Sequence, residues 1–397
     1  MDPLHNPFAP GAGTPPPELA GRGPLLAKAK VVLARVKAGR PERGLLMVGL
    51  RGVGKTVLLN RIRELAEGEG YRTVLIEAHE EKPLPALLLP PLRQLLVGLD
   101  RMATASAKAK YALRVLKSFF DGVRVKVGEI EIGIDVDPET GTADSGDLES
   151  DLPTLFKALG EAAADRGVPI AILVDELQYL SEKELSALIM AMHQIAQRQL
   201  PVVLVGAGLP QLVGLAGKAK SYAERLFEFP EVGALSPADA NSALQEPVAD
   251  EHVAFTAPAL DAIYAQTQGY PYFLQEWGYQ SWNLARASPI DVDVVDQATD
   301  DSIRRLDQNF FRVRFDRLTP REKDYLRALA TMGDDAQRSG EIAERLGMKV
   351  QSVAPLRSGL IRKGMIYSPA HGDTAFTVPL FADFMKRVMP DERGTRG

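Results

Sequence analysis

The segment that most constrains the fold is the glycine-rich run Gly49–Thr56, which lies between an apolar stretch and a helical pattern. Its letters, GLRGVGKT, match the pattern G-x-x-x-x-G-K-[ST]. Leu45–Val48 before it predicts a buried strand, and Val57–Leu65 after it predicts a helix. Glycine permits the backbone conformations in which successive N–H groups surround a phosphate, and a helix directs the positive end of its dipole at the same anion. The pattern in this context predicts a phosphate-binding loop.

Two side chains of this run have distinct expected roles. Lys55 supplies a mobile charge for the outer phosphates, and the Thr56 hydroxyl is placed to ligate magnesium. The residues predicted to bind the nucleotide are Gly49, Gly52, Val53, Gly54, Lys55, Thr56 and Val57.

A second apolar run, Ile170–Val174, ends in the acids Asp175 and Glu176. Ligands of open α/β sheets bind at the carboxyl ends of the strands, so Asp175 is predicted to hold the magnesium ion, directly or through water. Glu176 is suited to accept a proton from an attacking water. A strand that ends in two acids is common by itself. Together with a phosphate loop upstream, it indicates the second half of a hydrolysis site.

The composition is that of an ordinary globular protein, since 45% of the 397 residues are hydrophobic and 25% are charged. This length predicts two or three domains. The absence of cysteine excludes disulfides and thiolate chemistry, and the five histidines have no spacing that suggests a metal site. We find neither a membrane span nor a signal peptide, and we expect a cytoplasmic protein. The formal net charge of −5 argues against wholesale coating of nucleic acid.

Strands alternate with helices over residues 18–230, which predicts an α/β domain with a doubly wound parallel sheet. The further strands are predicted at Thr73–Glu77, Pro201–Val205 and before Pro230. Residues 1–17, rich in Pro, Gly and Ala, predict a flexible lead-in. Strict alternation from Val123 to Val136 predicts a β-hairpin insertion over about 121–147 that projects from the body. It is either a decorative edge ribbon or a contact for a partner or a second copy.

Beyond residue 230 the sequence predicts two further domains and a flexible tail, 391–397. Helical patterns over 231–317 predict a lid, in which Gly269-Tyr270-Pro271 separates two helices. A capping signal at Thr319 opens the last domain, 318–390. Its helices at Ser339–Leu346 and Val350–Lys363, followed by two short strands, predict a winged helix-turn-helix. Pro355 is expected to kink or shorten the second helix.

This last domain carries an excess of positive charge, with 11 Lys and Arg against 8 Asp and Glu between Leu318 and Pro390. Such a charge favours double-stranded DNA as a partner of residues 338–363, since phosphate contacts dominate affinity for DNA. A packing module used between proteins remains the alternative. The basic residues concerned are Arg338, Arg345, Lys349, Arg357, Arg362 and Lys363.

These motifs, in this order, resemble the AAA+ and STAND group of P-loop ATPases, especially the bacterial relatives of archaeal ATPases and the initiator ATPases with a winged helix. The resemblance rests on Glu18–Arg22, the phosphate loop, Asp175-Glu176, Arg225 and the C-terminal winged helix. It implies binding of ATP or ADP with Mg²⁺, and a homo-oligomer is one assembly it allows. It also implies that Arg225 is similar to the arginine finger that a neighbouring subunit presents to the γ-phosphate. A surface salt-bridge role for Arg225 is equally open.

Two departures from the group's pattern favour a slow switch over fast hydrolysis. The first sensor, usually a polar residue that ends the fourth strand, is replaced by Gly206-Ala207-Gly208, and Gln211 is a weak substitute. The lid has no evident second-sensor arginine. Gly269-Tyr270-Pro271 instead looks like the Gly-x-Pro of STAND proteins, whose proline lies against the nucleotide, so Pro271 joins the predicted nucleotide-binding residues.

The leading hypothesis is therefore an ATPase that binds Mg-ATP through Lys55, Thr56 and Asp175 and hydrolyses it slowly with Glu176 as base. The nucleotide state would control the binding of DNA or of an unknown protein partner. The alternative is a signalling scaffold that binds nucleotide with little turnover and contacts proteins through the winged helix. A small-molecule kinase is a distant third, because no substrate-pocket pattern is present.

Overall fold

A computed structural model of the chain describes residues 1–11, 16, 18–102, 106–127, 136–333, 335–370 and 372–390. The chain divides into two compact units. The sheet unit comprises Gly23–Gly49 and Lys55–Glu231, and the helical unit comprises Met1–Arg22, Leu50–Gly54 and the chain from Val232 onward. Over the described ranges, no helix is both long enough and apolar enough to cross a bilayer.

The sheet unit is built on five parallel strands in the order β2-β3-β4-β1-β5. Every residue of β1, β3 and β4 is buried, as expected for continuous apolar runs in a parallel sheet covered on both faces. The predicted parallel α/β fold is thereby confirmed. The strands are β1 (Gly44–Val48), β2 (Arg72–Glu77), β3 (Ile170–Asp175), β4 (Val202–Gly208) and β5 (Phe227–Glu228).

Eight α-helices are described in this unit, and the ends of two of them have well-defined caps. A capping box of Ser181 and Glu184 is present at the start of α6, and Gly167 ends α5 in the left-handed conformation. The helices are α1 (Gly23–Lys37), α2 (Lys55–Gly68), α3 (Leu84–Asp100), α4 (Ala107–Val127), α5 (Leu148–Arg166), α6 (Glu182–Gln197), α7 (Leu212–Ala219) and α8 (Ala223–Leu226).

The predicted β-hairpin at 121–147 is wrong in its first strand, because α4 continues through Val127. Buried apolar residues at helical spacing, such as Leu116, Phe119 and Phe120, hold this helix in the core, and tertiary packing overrides the local alternation. Residues 128–135 of the predicted hairpin lie outside the described residues. The segment after them does not project, since the N–H of Glu139 donates to the carbonyl of Arg114 on α4 at 3.2 Å.

Between residues 231 and 317 the helical unit consists largely of helices, as the helical patterns in the sequence predict. Ser236, Thr256 and Asp291 each accept a hydrogen bond from a backbone N–H of the first turn of their helix. A π-helical segment, Leu306–Phe311, continues directly from the fourth helix. The helices are α9 (Pro237–Ala249), α10 (Ala257–Thr267), α11 (Pro271–Leu284), α12 (Val292–Arg305) and α13 (Arg312–Asp316).

The C-terminal module, residues 318–390, contains the two helices and two strands that the sequence predicts, together with a short strand β6 that it does not. The three strands form an antiparallel sheet in the order β6-β8-β7. Helix α16 runs through Pro355 without being shortened there. The elements are α14 (Pro320–Ala330), β6 (Gln337–Arg338), α15 (Ser339–Arg345), α16 (Val350–Arg362), β7 (Ile366–Tyr367), β8 (Asp373–Phe376) and α17 (Phe381–Val388).

The start of the chain packs against α11, contrary to the flexible lead-in that its composition predicts. Phe8 is 2% exposed, and a Cβ atom at Gly278 would lie 2.7 Å from its ring. The Asn6 amide donates to the carbonyl of Tyr279 at 3.1 Å, and the Trp282 indole donates to the carbonyl of Asp2 at 2.9 Å. Composition did not reveal this packing because it depends on one aromatic side chain and one distant glycine.

Candidate nucleotide-binding site

The predicted magnesium ligands Thr56 and Asp175 meet in the sheet unit. Thr56 lies in the first turn of α2 and Asp175 ends β3, and the two are 119 positions apart in sequence. The Thr56 hydroxyl donates to Asp175 Oδ2 at 2.6 Å, and the N–H of Glu176 donates to Asp175 Oδ1 at 2.8 Å. Both contacts orient the carboxylate of a residue that is only 6% exposed.

The electrostatics of this pair suit a divalent cation. Burial raises the pKa of Asp175, against the opposing effects of the Thr56 hydrogen bond and the positive charge of Lys55. Lys55 is itself only 6% exposed. A hydroxyl and a carboxylate oxygen 2.6 Å apart are hard donors, close to the spacing of adjacent ligands around Mg²⁺. The residues present therefore fit a magnesium ion, which such sites hold together with phosphate oxygens.

Glu176, the predicted base, has a backbone conformation that is unusual for its residue type. Its φ is 53°, in the left-handed region that non-glycine residues seldom adopt, at the start of the short 3-10 helix Leu177–Tyr179. Strain of this kind concentrates at functional sites. The amide of Gln178 donates a hydrogen bond to the Glu176 carboxylate. Gln178 Oε1 also accepts from the N–H of Leu209 at 3.0 Å, so Gln178 joins the base to the end of β4.

Gln178 is a candidate site residue that sequence reasoning missed. A Cβ atom at Gly208 would lie 3.0 Å from Gln178 Oε1, so the glycine that ends β4 leaves room for this amide. A side chain at Gly206 would clash with Leu177. The end of β4 has no polar side chain of its own, and the amide of Gln178, from the segment after β3, takes that place. Two features of the sequence could have indicated this residue. Gln178 lies two residues after Glu176, and β4 ends in glycine instead of a polar residue.

The middle of the phosphate loop has the backbone conformation that its glycines allow. Gly52 and Gly54 have φ values of 83° and 93°, which L side chains rarely adopt. Gly49 is not in this conformation, and its N–H donates to the carbonyl of Gly208 at 3.1 Å. In the helical unit the Arg22 guanidinium donates to the carbonyl of Val53 at 3.2 Å. The sequence indicates Arg22 only as part of the segment Glu18–Arg22, and the structure adds its direct contact with the loop.

Pro271 occupies the first position of α11, as predicted. The residue before it, Tyr270, contacts the loop, since a Cβ atom at Gly52 would lie 2.9 Å from Tyr270 Cε1. Tyr270 is 2% exposed. The lid motif thus brings an aromatic ring onto the loop beside the predicted proline. Val57 lies in the first turn of α2, next to Thr56.

Arg225 lies at the other end of the sheet from the loop. Arg225 belongs to α8, and the residue after this helix, Phe227, pairs with Gly44, the first residue of β1. The phosphate loop follows the last residue of β1. Five residues of strand separate these ends by about 15 Å. Arg225 lines a cavity of about 220 Å³ together with Arg40 and Arg43. Within the described residues it has no ion-pair partner, so the salt-bridge interpretation has no support.

The basic residues predicted to contact DNA divide into two groups. Arg357 is engaged inside the module, donating to Thr374 Oγ1 at 2.9 Å, Ser368 Oγ at 2.8 Å and the carbonyl of Asp373 at 2.7 Å. Lys363 pairs with Glu322 at 2.7 Å. Arg345 and Arg338 contact Thr331 Oγ1 at 2.6 Å and Asp373 at 3.8 Å, respectively. Lys349 and Arg362 form the second group, with no side-chain hydrogen bond or ion pair to another described residue. All six residues except Arg357 are exposed.

A glycine-rich loop between a parallel strand and a helix, with a threonine hydroxyl on the acid that ends β3, one strand removed from β1, defines a P-loop nucleotide-binding fold. Residues 18–205 match the family described as AAA ATPase domain. The parallel sheet with its phosphate loop matches the P-loop ATPase fold, which is the fold that the sequence predicts. Residues 308–385 match a family described as a domain of unknown function, DUF8462. No curated protein matches the sequence.

Several solved structures match this chain over most of its length. The Walker-type ATPase PABY2304 of Pyrococcus abyssi is 16% identical, with 93% of this chain and 96% of that chain covered and a TM-score of 0.54. The Aeropyrum pernix ORC1 protein, solved in complex with DNA, is 17% identical, with 94% of each chain covered and a TM-score of 0.46. Cdc6p from Pyrobaculum aerophilum is 13% identical, with 98% and 99% covered and a TM-score of 0.48. At 16% identity the similarity to the Pyrococcus abyssi protein concerns the fold alone.

Proposed function

We propose that this protein binds Mg-ATP at the phosphate loop, hydrolyses it slowly, and uses the nucleotide state to control a partner of its C-terminal module. The observation that carries the proposal is the 2.6 Å contact of Thr56 with Asp175. Thr56 and Asp175 are distant in sequence and come together through the predicted fold. A polar pair of this kind is not needed for packing of the apolar core. The AAA ATPase match over residues 18–205 supports the same conclusion.

Each residue has a defined part in this proposal. The N–H groups of Gly52–Thr56 and the Lys55 ammonium bind the phosphates, and Thr56 and Asp175 hold the magnesium ion. Magnesium, when bound, neutralises charge that develops on the phosphate oxygens. Glu176 orients a water and accepts its proton as the water attacks the terminal phosphorus, and ADP and phosphate leave. Arg225, which lies away from the loop, is proposed to act on the site of a neighbouring copy.

Nucleotide binding is tested with Lys55→Ala and with Lys30→Ala, an exposed lysine of α1, as a control for loss of charge. Calorimetry should show micromolar ATP binding by the wild type and by Lys30→Ala, and no measurable binding by Lys55→Ala. Release of phosphate from ATP by the wild type, absent without Mg²⁺, then establishes hydrolysis. An unchanged ATP affinity of Lys55→Ala would refute the proposed site.

A second candidate function, the signalling scaffold, is favoured by the contacts of the basic residues. Arg357 and Lys363 are engaged inside the C-terminal module, and the exposed part of α16 includes Val350, which is 53% exposed. Such a surface suits a protein partner as well as it suits DNA. The two are separated by duplex DNA binding at low salt, measured with ATP and with ADP. Binding that weakens steeply with salt supports the DNA switch, and no binding in either state supports the scaffold.

A further inference from the structure

The cavity of about 220 Å³ that Arg225 lines lies at the end of the sheet away from the phosphate loop. Its walls come from four parts of the chain: the end of α1 with the turn that follows, the end of α6, the first residues of β4, and the segment that leads from α8 into β5. Every lining residue belongs to the sheet unit. The cavity is therefore a feature of one compact unit, and it does not involve the residues predicted to bind the nucleotide.

The inner walls of the cavity are apolar. Val36 of α1, Ile195 of α6 and Phe227 of β5 are among the lining residues, and each of them is buried. An apolar cavity of about 150 Å³ is large enough for benzene, so this cavity has room for a single ring or a short alkyl chain. Water gains few hydrogen bonds from such walls, and transfer of an apolar group from water into the cavity is favourable.

The charged residues that line the cavity are three arginines and one acid: Arg40, Arg43, Arg225 and Glu42. Arg43 pairs with Glu228 at 2.7 Å, and Glu42 pairs with Arg35 at 2.5 Å. The exposed side chains of Arg40 and Arg225 make no hydrogen bond or ion pair with any other residue that the structure describes. Glu224, next to Arg225 in sequence, does not line the cavity. Two guanidinium charges are thus left without a counter-charge beside an apolar interior.

Gln199, which also lines the cavity, has an unusual backbone conformation. Its φ is 51°, in the left-handed region that glycine usually occupies after the last turn of a helix. The N–H groups of Gln199 and Leu200 donate to the carbonyls of Ala196 and Ile195 at 3.2 and 3.1 Å, which is the hydrogen-bond pattern of such a helix end. A glutamine is therefore present where glycine would adopt the backbone with less strain, and it adds an amide donor to the lining.

We propose that this cavity binds a small amphipathic carboxylate, with its chain or ring against the buried walls and its carboxylate at Arg40 and Arg225. Arginine presents paired N–H donors that match the two oxygens of a carboxylate, and the anion supplies the counter-charge that these guanidinium groups lack. Helices α1 and α6 both end at the cavity, and the negative ends of their dipoles offset part of the arginine charge. A singly charged carboxylate therefore fits better than a phosphate dianion. The site is separate from the phosphate loop and does not require nucleotide.

The site is tested by calorimetry on the full chain without nucleotide, with octanoate as the probe. Octanoate should bind at one site per chain, whereas octanamide, which lacks the charge, and acetate, which lacks the chain, should each bind at least tenfold more weakly. Arg40→Ala should weaken octanoate binding at least fivefold. Arg198→Ala removes the same charge from an exposed position directly after α6, outside the cavity lining, and should bind octanoate as the wild type does. Arg225 is left unchanged because it is also proposed to act in hydrolysis.

Two further variants separate binding from folding. Ala196→Phe fills the cavity while every arginine stays in place, and it should abolish octanoate binding with an unchanged circular dichroism spectrum. Gln199→Gly should weaken octanoate binding two- to threefold without lowering the thermal midpoint, because glycine adopts the left-handed conformation readily.

Equal binding of octanoate and octanamide by the wild type, or full octanoate binding by a folded Ala196→Phe variant, would overturn the proposed carboxylate site. Absence of octanoate binding in a chain that binds ATP would also overturn it and leave the proposed function intact. Octanoate binding by a chain that does not bind ATP would support the cavity site and overturn the proposed function alone.

Discussion

The side-chain amide of Gln178 donates a hydrogen bond to the carboxylate of Glu176, and its oxygen accepts one from the N–H of Leu209. One glutamine therefore fixes the proposed base relative to the end of β4. Glu176 is further constrained by its φ of 53°. A general base contributes to the rate only while it is within reach of the proton that it accepts. We therefore expect Gln178 to position the proposed base for hydrolysis, so that its substitution affects turnover.

Gln178→Ala should lower kcat for ATP hydrolysis roughly tenfold and leave KM nearly unchanged, because a base without its orienting partner is productive for less of the time. Gln197→Ala, an exposed glutamine in the last turn of α6, is the matched control and should hydrolyse ATP at the wild-type rate. A rise in KM without a fall in kcat would show that Gln178 supports nucleotide binding. An increase in kcat would show that Gln178 restrains the base.

The anchoring of the first residues is a second testable feature. Phe8→Ala removes a ring that fills the space beside Gly278, and burial of such a ring contributes about 3 kcal/mol. We expect faster proteolysis of residues 1–11 and faster amide hydrogen exchange in α11 near Tyr279, where Asn6 is bound. Leu4→Ala, at a side chain that is 92% exposed, should change neither. Equal behaviour of the two variants would show that Phe8 does not hold the segment.

Local patterns predicted most of the fold and one half of the site. The strand, loop and helix around Gly49–Thr56 follow from consecutive residues, and the meeting of Thr56 with Asp175 follows from the rule that parallel strands end at one edge of the sheet. The strand predicted at Val123–Val127 is wrong because these residues continue α4. The position of this helix is decided by core contacts with residues that are distant in sequence, and a local alternating pattern contains no information about such contacts.

Gln178 lies only two residues after Glu176, but its proposed role depends on a residue that is distant in sequence. It matters through Gly208, which leaves room for its side chain. A local pattern does not show this relationship. The same holds for the basic residues of the C-terminal module. A count of charges does not show that Arg357 donates its hydrogen bonds to other residues of that module.

Arg357 should therefore be a stabilising residue of the C-terminal module. Arg357→Ala loses three hydrogen bonds from a charged donor to residues 368–374, and we expect a local destabilisation of about 2 kcal/mol. In the full chain this should appear as roughly thirtyfold faster hydrogen exchange in β7 and β8. Arg362→Ala, at an exposed position of the same helix, should leave exchange unchanged. If duplex DNA binds, Arg362→Ala should weaken it and reduce its salt dependence.

The position of Arg225 leads to a prediction about assembly. Arg225 is exposed, has no ion-pair partner among the described residues, and lies at the end of the sheet away from the loop of its own chain. If Arg225 contributes to hydrolysis, it must therefore act at the phosphate loop of a neighbouring copy.

Arg225→Ala should bind ATP with wild-type affinity but hydrolyse it at least tenfold more slowly. Lys55→Ala should also be at least tenfold slower, because it does not bind the nucleotide. Mixing the two inactive variants should restore part of the activity, because a Lys55→Ala subunit still offers Arg225 to an intact loop. Arg40→Ala, at an arginine lining the same cavity, controls for loss of charge. Full activity of Arg225→Ala alone would remove the arginine from the mechanism, and an inactive mixture from subunits that do associate would exclude a shared site.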